Sequence, residues 1–344
     1  MSTTPPARTD RELDVVLVGA SGFVGQLTAA HLAAEAGSAR IALAGRSTAR
    51  LTAVRDELGA AAADWPIIEV DAHDSDGLRA LAARTRVVAT TVGPYHKLGM
   101  PLAAACALRG THYADLTGEV LFVRRCADML HEEARRSGAR IVNSCGFDSV
   151  PSDLAVLLTA TAALEAHDGG LTDATLYVRK LRAGFSGGTV DSARQQAIAM
   201  AEDPWAKKVL TDPYALSADR DHEPRRRTRS GSGSGSGAAS GSSVGAVLGA
   251  LTRSAKVARS MVPVSRDASD GHWYGPFVMA PFNTRLVRRS NSLTGWSYGR
   301  DLSYREVLDL GNSPTAPLIG TGMAAAMGGV FTAMGSDLLR PVVD

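Results

Sequence analysis

Residues Gly19-Ala20-Ser21-Gly22-Phe23-Val24-Gly25 form a G-x-x-G-x-x-G run. It follows the apolar stretch 14–18 directly and opens a helical pattern over about 23–35. No other feature constrains the fold as strongly. A buried strand that turns on glycine into a helix is the first half of a βαβ unit, and parallel strands joined this way need helices on both sheet faces. Gly19 permits the tight turn out of the strand, Gly22 lets the backbone approach a pyrophosphate, and Gly25 lets the helix pack closely on the sheet. Ala20, Ser21, Phe23 and Val24 complete the turn and bring the helix N-terminus, with its free N–H groups, toward the phosphates. Glycines at a strand-to-helix turn also serve packing alone, but the surrounding βαβ pattern favours nucleotide binding.

Over 14–145 short apolar runs alternate with helical patterns, as in a doubly wound parallel sheet. The reading places strands at 14–18, 40–44, 67–70, 87–92, 113–116 and 141–143, with helices over about 23–35, 48–58 and 119–137. Pro101 is expected in the first turn of a further helix, where its missing N–H does no harm. Gly138 is expected to terminate the 119–137 helix. Beyond Pro151 the pattern changes. Residues 175–181 alternate like a half-buried strand, 190–202 read as a helix, and 277–279 and 286–287 are strand-like. The expectation is an α/β chain: an N-terminal Rossmann-type doubly wound parallel sheet over 10–150, then a second, α+β substrate domain over 151–344.

Two segments of the second half stand apart. Residues 217–243 run through Arg225-Arg226-Arg227 into Gly/Ser repeats and cannot bury enough apolar surface to order themselves, so a flexible loop is expected. Residues 310–336 carry no charge. The stretch is long enough to span a bilayer, but its Gly, Ala, Met, Thr and Pro content makes a membrane-touching or core segment the better reading.

The 344 residues leave room for about two domains. A net charge of +2 argues against a nucleic-acid partner. The charge is uneven, since 217–304 hold 13 Arg and Lys against 6 Asp and Glu. That basic stretch, with Arg288-Arg289, either meets phosphates or an anionic membrane surface or is a solvated loop with scattered arginines. Three cysteines with no C-x-x-C pair exclude a disulfide scaffold and a zinc ribbon. With no apolar stretch at the N-terminus, the expected compartment is the cytoplasm, with peripheral membrane contact left open.

The end of strand two separates cofactors. An NAD site places Asp or Glu there to accept from the ribose 2′-OH. Here the residues are Ala44-Gly45-Arg46-Ser47, with no acid. Arg46 can pair with a 2′-phosphate and Ser47 can donate to it, so NADP(H) is expected and NAD is disfavoured. Arg46 stacked on adenine is the alternative. Asp71, at the end of strand three, either lies near the adenine or caps a helix. Val92, Gly93 and Pro94 make a turn at the carboxyl edge of strand four, where the nicotinamide half would lie. Tyr95 and His96 follow as candidate proton donors, with structural roles the alternative for each. The runs 115–119 and 145–153 follow predicted strands and should reach the same edge. No metal site is indicated. No tyrosine has Lys four residues on, which excludes the short-chain dehydrogenase mechanism, and no G-x-S-x-G, Walker or H-E-x-x-H motif occurs.

Taken together, GASGFVGQ (19–26), AGRS (44–47), VGPY (92–95), YADLTGE (113–119) and GFDSVPSDL (146–154) resemble the saccharopine dehydrogenase-like oxidoreductase family. GGTVDS (187–192) and RLVRRSN (285–291) extend the match more loosely. Within that family the chain is similar to the actinobacterial trans-acting enoyl reductases. The resemblance implies NADPH-dependent reduction of a carbon–carbon double bond in a polyketide-derived lipid of the phthiocerol or phenolphthiocerol dimycocerosate kind. It also implies a polyketide synthase as partner. Two rivals remain: an amino-acid dehydrogenase acting on a saccharopine-like imine, and a non-catalytic lipid-surface protein that keeps a cofactor site. Family members continue beyond a segment like 315–340, which implies a shortened chain, and the Gly/Ser run reads as an insertion.

Overall fold

The computed structural model describes residues 11–167, 169–180, 187–223 and 264–334. They fall into two compact units. One is Met1–Val150 with Phe185–Leu210, and the other is Pro151–Gly184 with Thr211–Asp344. The return of Phe185–Leu210 to the first unit differs from the single expected boundary near residue 150.

In the first unit β1 (Leu13–Val18), β2 (Ile41–Gly45), β3 (Ile67–Glu69), β4 (Thr85–Thr90), β5 (His112–Asp115) and β6 (Ile141–Val142) build one sheet in the order β3-β2-β1-β4-β5-β6. Every pairing is parallel. That order reverses between β1 and β4, which opens a crevice at the carboxyl ends of those strands. The crossover helices are α1 (Phe23–Glu35), α2 (Thr48–Leu58), α3 (Ser75–Arg84), α4 (Tyr95–Arg109) and α5 (Val120–Ser137). Successive β1 residues serve opposite faces, as a pleated strand requires. Val16 and Val18 pack with Leu78, Leu102, Phe122 and Cys126. Leu17 packs with Ala29, Ile41, Leu43, Leu51 and Trp65. A sheet covered on both faces explains why its strands read as continuous apolar runs.

α1 and α2 begin and end where the sequence places them, and Gly138 closes α5 in a left-handed conformation (φ 74°). α4 does not. It starts at Tyr95, so Pro101 lies inside the helix rather than in its first turn. The N-cap, Pro94, offers no side-chain acceptor; Glu119 supplies it from 24 residues away. α6 (Val150–His167) follows β6, and α7 (Gly187–Glu202) and α8 (Pro204–Thr211) follow β7 (Asp173–Val178).

The second unit holds a mixed sheet, β7 (Asp173–Val178), β10 (Ser303–Gly311), β9 (Trp273–Pro276) and β8 (Ser265–Arg266), in the order β7-β10-β9-β8. β10 runs parallel to β7 and antiparallel to β9. α9 (Ala280–Leu293) and α10 (Ala316–Met334) pack on β10 and β9. Two strand expectations need correction. Residues 277–279 form the turn into α9, and Leu286-Val287 lie within that helix, where Phe282, Leu286 and Val287 share its buried side. A short apolar run of this kind does not tell strand from helix until its 3.6-residue partners are counted.

Residues 217–223 are ordered rather than loop-like. They end in a 3₁₀ turn at Arg220–His222, and buried Glu223 pairs with Arg288 at 2.9 Å. Residues 224–243 lie outside the described residues. The Arg288-Arg289 pair is also engaged within this unit. Arg288 stacks on Tyr214 and donates to Leu302 O, and Arg289 donates to Leu216 O, so neither is a free anion-binding cation. Among the described residues no helix is long and apolar enough to cross a membrane, and residues 316–334 of the uncharged segment form α10.

Candidate active site

A cleft of about 470 Å³ opens in the first unit where the strand order reverses. Its walls come from the glycine turn (Gly19, Ser21, Gly22), the end of β2 (Gly45, Arg46, Ser47), the end of β3 (Val70, Asp71) and the end of β4 (Thr90 to Gly93). The size suits a cofactor, and the position is where open α/β sheets bind one.

The three glycines have separate duties. Gly19 has φ +88°, and a Cβ there would lie 2.7 Å from Val92 Cγ2, so the turn requires glycine. Gly25 touches the turn so closely that a Cβ would sit 2.1 Å from Gly19 O. At Gly22 a Cβ would meet only Gly19 O, at 3.4 Å, so that glycine leaves open space on the cleft side rather than packing room. Gly22 is also the N-cap of α1 and supplies no side-chain acceptor, which leaves the first-turn amides at Phe23, Val24 and Gly25 available to an anion. Phe23 and Val24 thus contribute backbone only; the Phe23 side chain is 74% exposed and does not line the cleft. Ala20 is fully buried in the core.

At the ribose end Arg46 lines the cleft and makes no hydrogen bond or ion pair among the described residues. Ser47 lines it too, while its Oγ accepts from the Arg50 amide to cap α2. Arg50 is a wall residue that the sequence reading passed over. Its guanidinium reaches Ser21 O (3.4 Å), and its place in the first turn of α2, directly after the residues that close β2, is the signal that marks it. Asp71 lines the cleft and accepts the His73 amide at 2.8 Å, while Asp74 caps α3. β4 ends at Thr90, two residues earlier than expected, so Thr91, Val92 and Gly93 form the loop along the cleft. Thr91 ties this loop to the glycine turn by donating to Gly19 O at 3.1 Å. Pro94 does not line the cleft; it follows a cis peptide bond and serves as the α4 N-cap.

The two candidate proton donors differ. The Tyr95 hydroxyl is buried and donates to Thr90 O at 3.0 Å. Burial, reinforced by the Asp115 charge, pushes its pKa far above the ordinary phenol value. This hydroxyl is engaged within the fold, which favours the structural alternative given for Tyr95. His96 is half-buried, and its Nδ1 is buried with no partner among the described residues. Burial lowers the imidazole pKa, and Arg125 and Lys97 lower it further, which favours the neutral ring.

Two buried carboxylates organise the adjoining edge. Asp115 accepts the Thr117 and Ser144 amides (3.0 and 2.8 Å) and the Asn143 side chain (2.8 Å). It thereby holds Ser144 at φ +65°, a region that non-glycine residues seldom occupy. Glu119 accepts the Tyr95 amide at Oε1 (2.8 Å) and the His96 amide at Oε2 (2.7 Å). Burial raises the pKa of both, against the lowering effect of these donors.

These residues fit a dinucleotide bearing a 2′-phosphate. The cleft has uncapped helix amides at its glycine end, free space over Gly22, and a guanidinium without a partner among the described residues where a carboxylate would reject that phosphate. The comparisons agree. The profile of the saccharopine dehydrogenase NADP-binding domain matches residues 15–142. Trans-acting enoyl reductases of Mycobacterium bovis (45% identical over 94% of this chain and 71% of that one) and Mycobacterium leprae (44%, over 93% and 71%) are similar along nearly the whole sequence. A Mycobacterium tuberculosis protein provisionally given the same name is 46% identical over 94% of this chain and 72% of its own. Among solved structures, apo saccharopine dehydrogenase from Saccharomyces cerevisiae aligns with a TM-score of 0.39 and 19% identity, over 55% of this chain and 41% of that one.

Proposed function

The chain belongs to the saccharopine dehydrogenase-like family of NADP-dependent oxidoreductases, in its group of trans-acting enoyl reductases, and from that premise we propose that it reduces the polarised carbon–carbon double bond of a polyketide-derived lipid intermediate supplied by a separate synthase. The observation that carries the cofactor half of this reading is Arg46: a cation without a partner among the described residues, just past the end of β2, in a cleft wall where β2 contributes no acid.

The α1 first-turn amides and the turn at Gly19 and Gly22 would hold the pyrophosphate, Arg46 and Arg50 the 2′-phosphate, and Asp71 to His73 the adenine side. Thr90 to Gly93 would flank the nicotinamide. When bound, NADPH supplies the hydride, and the protein supplies binding, orientation and exclusion of water. Burial disfavours the imidazolium form of His96, and the role proposed for this ring is to orient the water that protonates the neighbouring carbon. An apolar substrate is supported by α6, where Leu154, Leu157, Leu158 and Leu164 are exposed at helical spacing, and by exposed Leu318 and Ile319 on α10.

The test is a titration of NADPH and NADH followed by nicotinamide fluorescence, with wild type beside Arg46→Ala. Loss of a charge-assisted phosphate contact is worth about 1.5–3 kcal/mol, so NADPH should bind roughly tenfold to a hundredfold more weakly while NADH is unaffected. Equal effects on both cofactors remove the role given to Arg46. NADPH oxidation with an enoyl thioester, and none with a saccharopine-like imine, then separates the two oxidoreductase readings.

A further inference from the structure

Three runs of the sequence, VGPY, YADLTGE and GGTVDS, meet at one side chain. Glu119, from the second run, is fully buried. Its Oε1 accepts the Tyr95 amide at 2.8 Å and the Ser192 hydroxyl at 2.7 Å, and its Oε2 accepts the His96 amide at 2.7 Å. One residue on, the Val120 amide donates to Gln196 Oε1 at 3.1 Å. Nothing in the reduction uses this carboxylate, yet it joins α4, α5 and α7.

We infer that Glu119 is a positioning residue, with Ser192 as its support: it fixes the first turn of α4, and through it the shape of the nicotinamide end of the cleft and the placement of the His96 ring. The inference rests on the NADPH reading above. An α-helix begins with N–H groups that lack partners, and Pro94 caps none of those of α4. A carboxylate there satisfies two donors and also complements the positive end of the helix dipole. The turn so held carries His96 and leads into Leu98, Gly99 and Leu102, all wall residues. Slack in it is restricted on the other side, because a Cβ on Gly99 would fall 2.7 Å from the Phe122 ring of α5. Ser192 sets which way the carboxylate faces by binding Oε1.

Glutamine at this position keeps the shape but not the acceptors. Whichever way its amide faces, the NH₂ group opposes the N–H of Tyr95 or His96, so one helix amide loses its partner. Ser192→Ala is milder and leaves both backbone bonds in place.

The experiment combines NADPH titration, the emission maximum of bound nicotinamide, and hydrogen exchange at residues 95–102 for wild type, Glu119→Gln and Ser192→Ala. The phosphate contacts lie elsewhere in the cleft, so NADPH Kd should stay within about threefold of wild type in both variants. In Glu119→Gln, bound-nicotinamide emission should shift toward its value in water, α4 amides should exchange at least tenfold faster, and kcat with an enoyl thioester should fall at least tenfold. Ser192→Ala should show the same changes, smaller. Unchanged emission and kcat beside faster α4 exchange would overturn the inference, leaving Glu119 a structural cap. A parallel loss of Kd, kcat and melting temperature would overturn it too. If Glu119→Gln does not fold, Ser192→Ala decides alone, and an unshifted emission there overturns the inference. Wild-type protein that binds no NADPH removes the cofactor reading and this one together, and only that outcome is visible before any variant is made.

Discussion

Gly22 and Gly25 lie three residues apart in one motif, and the structure predicts opposite consequences for the same added methyl group. At Gly25 a Cβ would stand 2.1 Å from Gly19 O and 2.8 Å from Ala20 Cα, where ordinary contact begins near 3.4 Å. Both obstacles are backbone, so no side chain can rotate away; α1 must lift off the turn by more than an ångström. Overpacking a well-filled site costs about 1–3 kcal/mol, and an immovable neighbour places Gly25→Ala at the upper end, about 3 kcal/mol. That is a large share of the roughly 5–15 kcal/mol that holds a domain folded.

At Gly22 the backbone is extended (φ −81°, ψ 166°), which any residue adopts, and the new methyl would meet only Gly19 O at 3.4 Å. Stability should therefore stay within about 0.5 kcal/mol of wild type. The methyl would instead occupy the space over the turn where a pyrophosphate must approach the α1 amides. NADPH affinity should fall by at least about tenfold, equivalent to 1.4 kcal/mol. Urea unfolding followed by circular dichroism, with the slope m checked for constancy, gives the first quantity, and nicotinamide fluorescence the second. Equal destabilisation by the two substitutions would refute the division of labour. So would wild-type NADPH affinity in Gly22→Ala, because the space above the turn would then not be where the phosphates sit.

Two further outcomes are expected. Tyr95→Phe removes a buried hydroxyl that serves Thr90 O, so it should cost about 1–2 kcal/mol of stability and leave kcat within roughly threefold of wild type. A hundredfold fall in enoyl reduction at unchanged stability would return Tyr95 to the chemistry. In the second unit Glu306 is fully buried between Tyr304 (2.7 Å) and Asn283 (3.1 Å), and burial raises its pKa. The folded state then binds this proton at pH values where the unfolded chain, with a carboxyl near about 4.3, has released it. The Glu306 contribution to stability is therefore fully present at low pH and declines as pH rises through the window between the two pKa values. Glu306→Gln should flatten that decline in urea midpoints taken between about pH 4 and pH 8; curves for variant and wild type that run parallel would contradict it.

What could be read from the residues depended on how far each signal travels along the chain. The turn at Gly19 to Gly25, both ends of α1 and α2, and the closing Gly138 are set by neighbours within a few residues, and each lies where it was expected. Arg46 and Ser47 are equally local, and both line the cleft, as expected. The start of α4 was not legible locally. Its cap comes from Glu119, and no pattern in 90–101 records that the helix amides are satisfied there. Residues 217–223 were read as loop because Arg288, the partner of buried Glu223, is 65 positions away.

The same distinction bears on how the two halves of the site do their work. Pyrophosphate would be held by backbone amides and a helix end, features that a seven-residue glycine motif specifies almost completely. The edge beside it is tied together over long range: the His96 amide and the Ser192 hydroxyl of α7 both meet Glu119, the N-cap of α5, and Asp115 holds Ser144 at positive φ. None of those pairs is adjacent in sequence, and each includes a buried carboxylate that is costly unless all its donors are present. Substitutions at Asp115 and Glu119 should therefore act on turnover more than on cofactor affinity, whereas those at Gly22 and Arg46 should do the reverse. A chain that kept the glycine motif but lost either carboxylate would be expected to bind NADPH and reduce little.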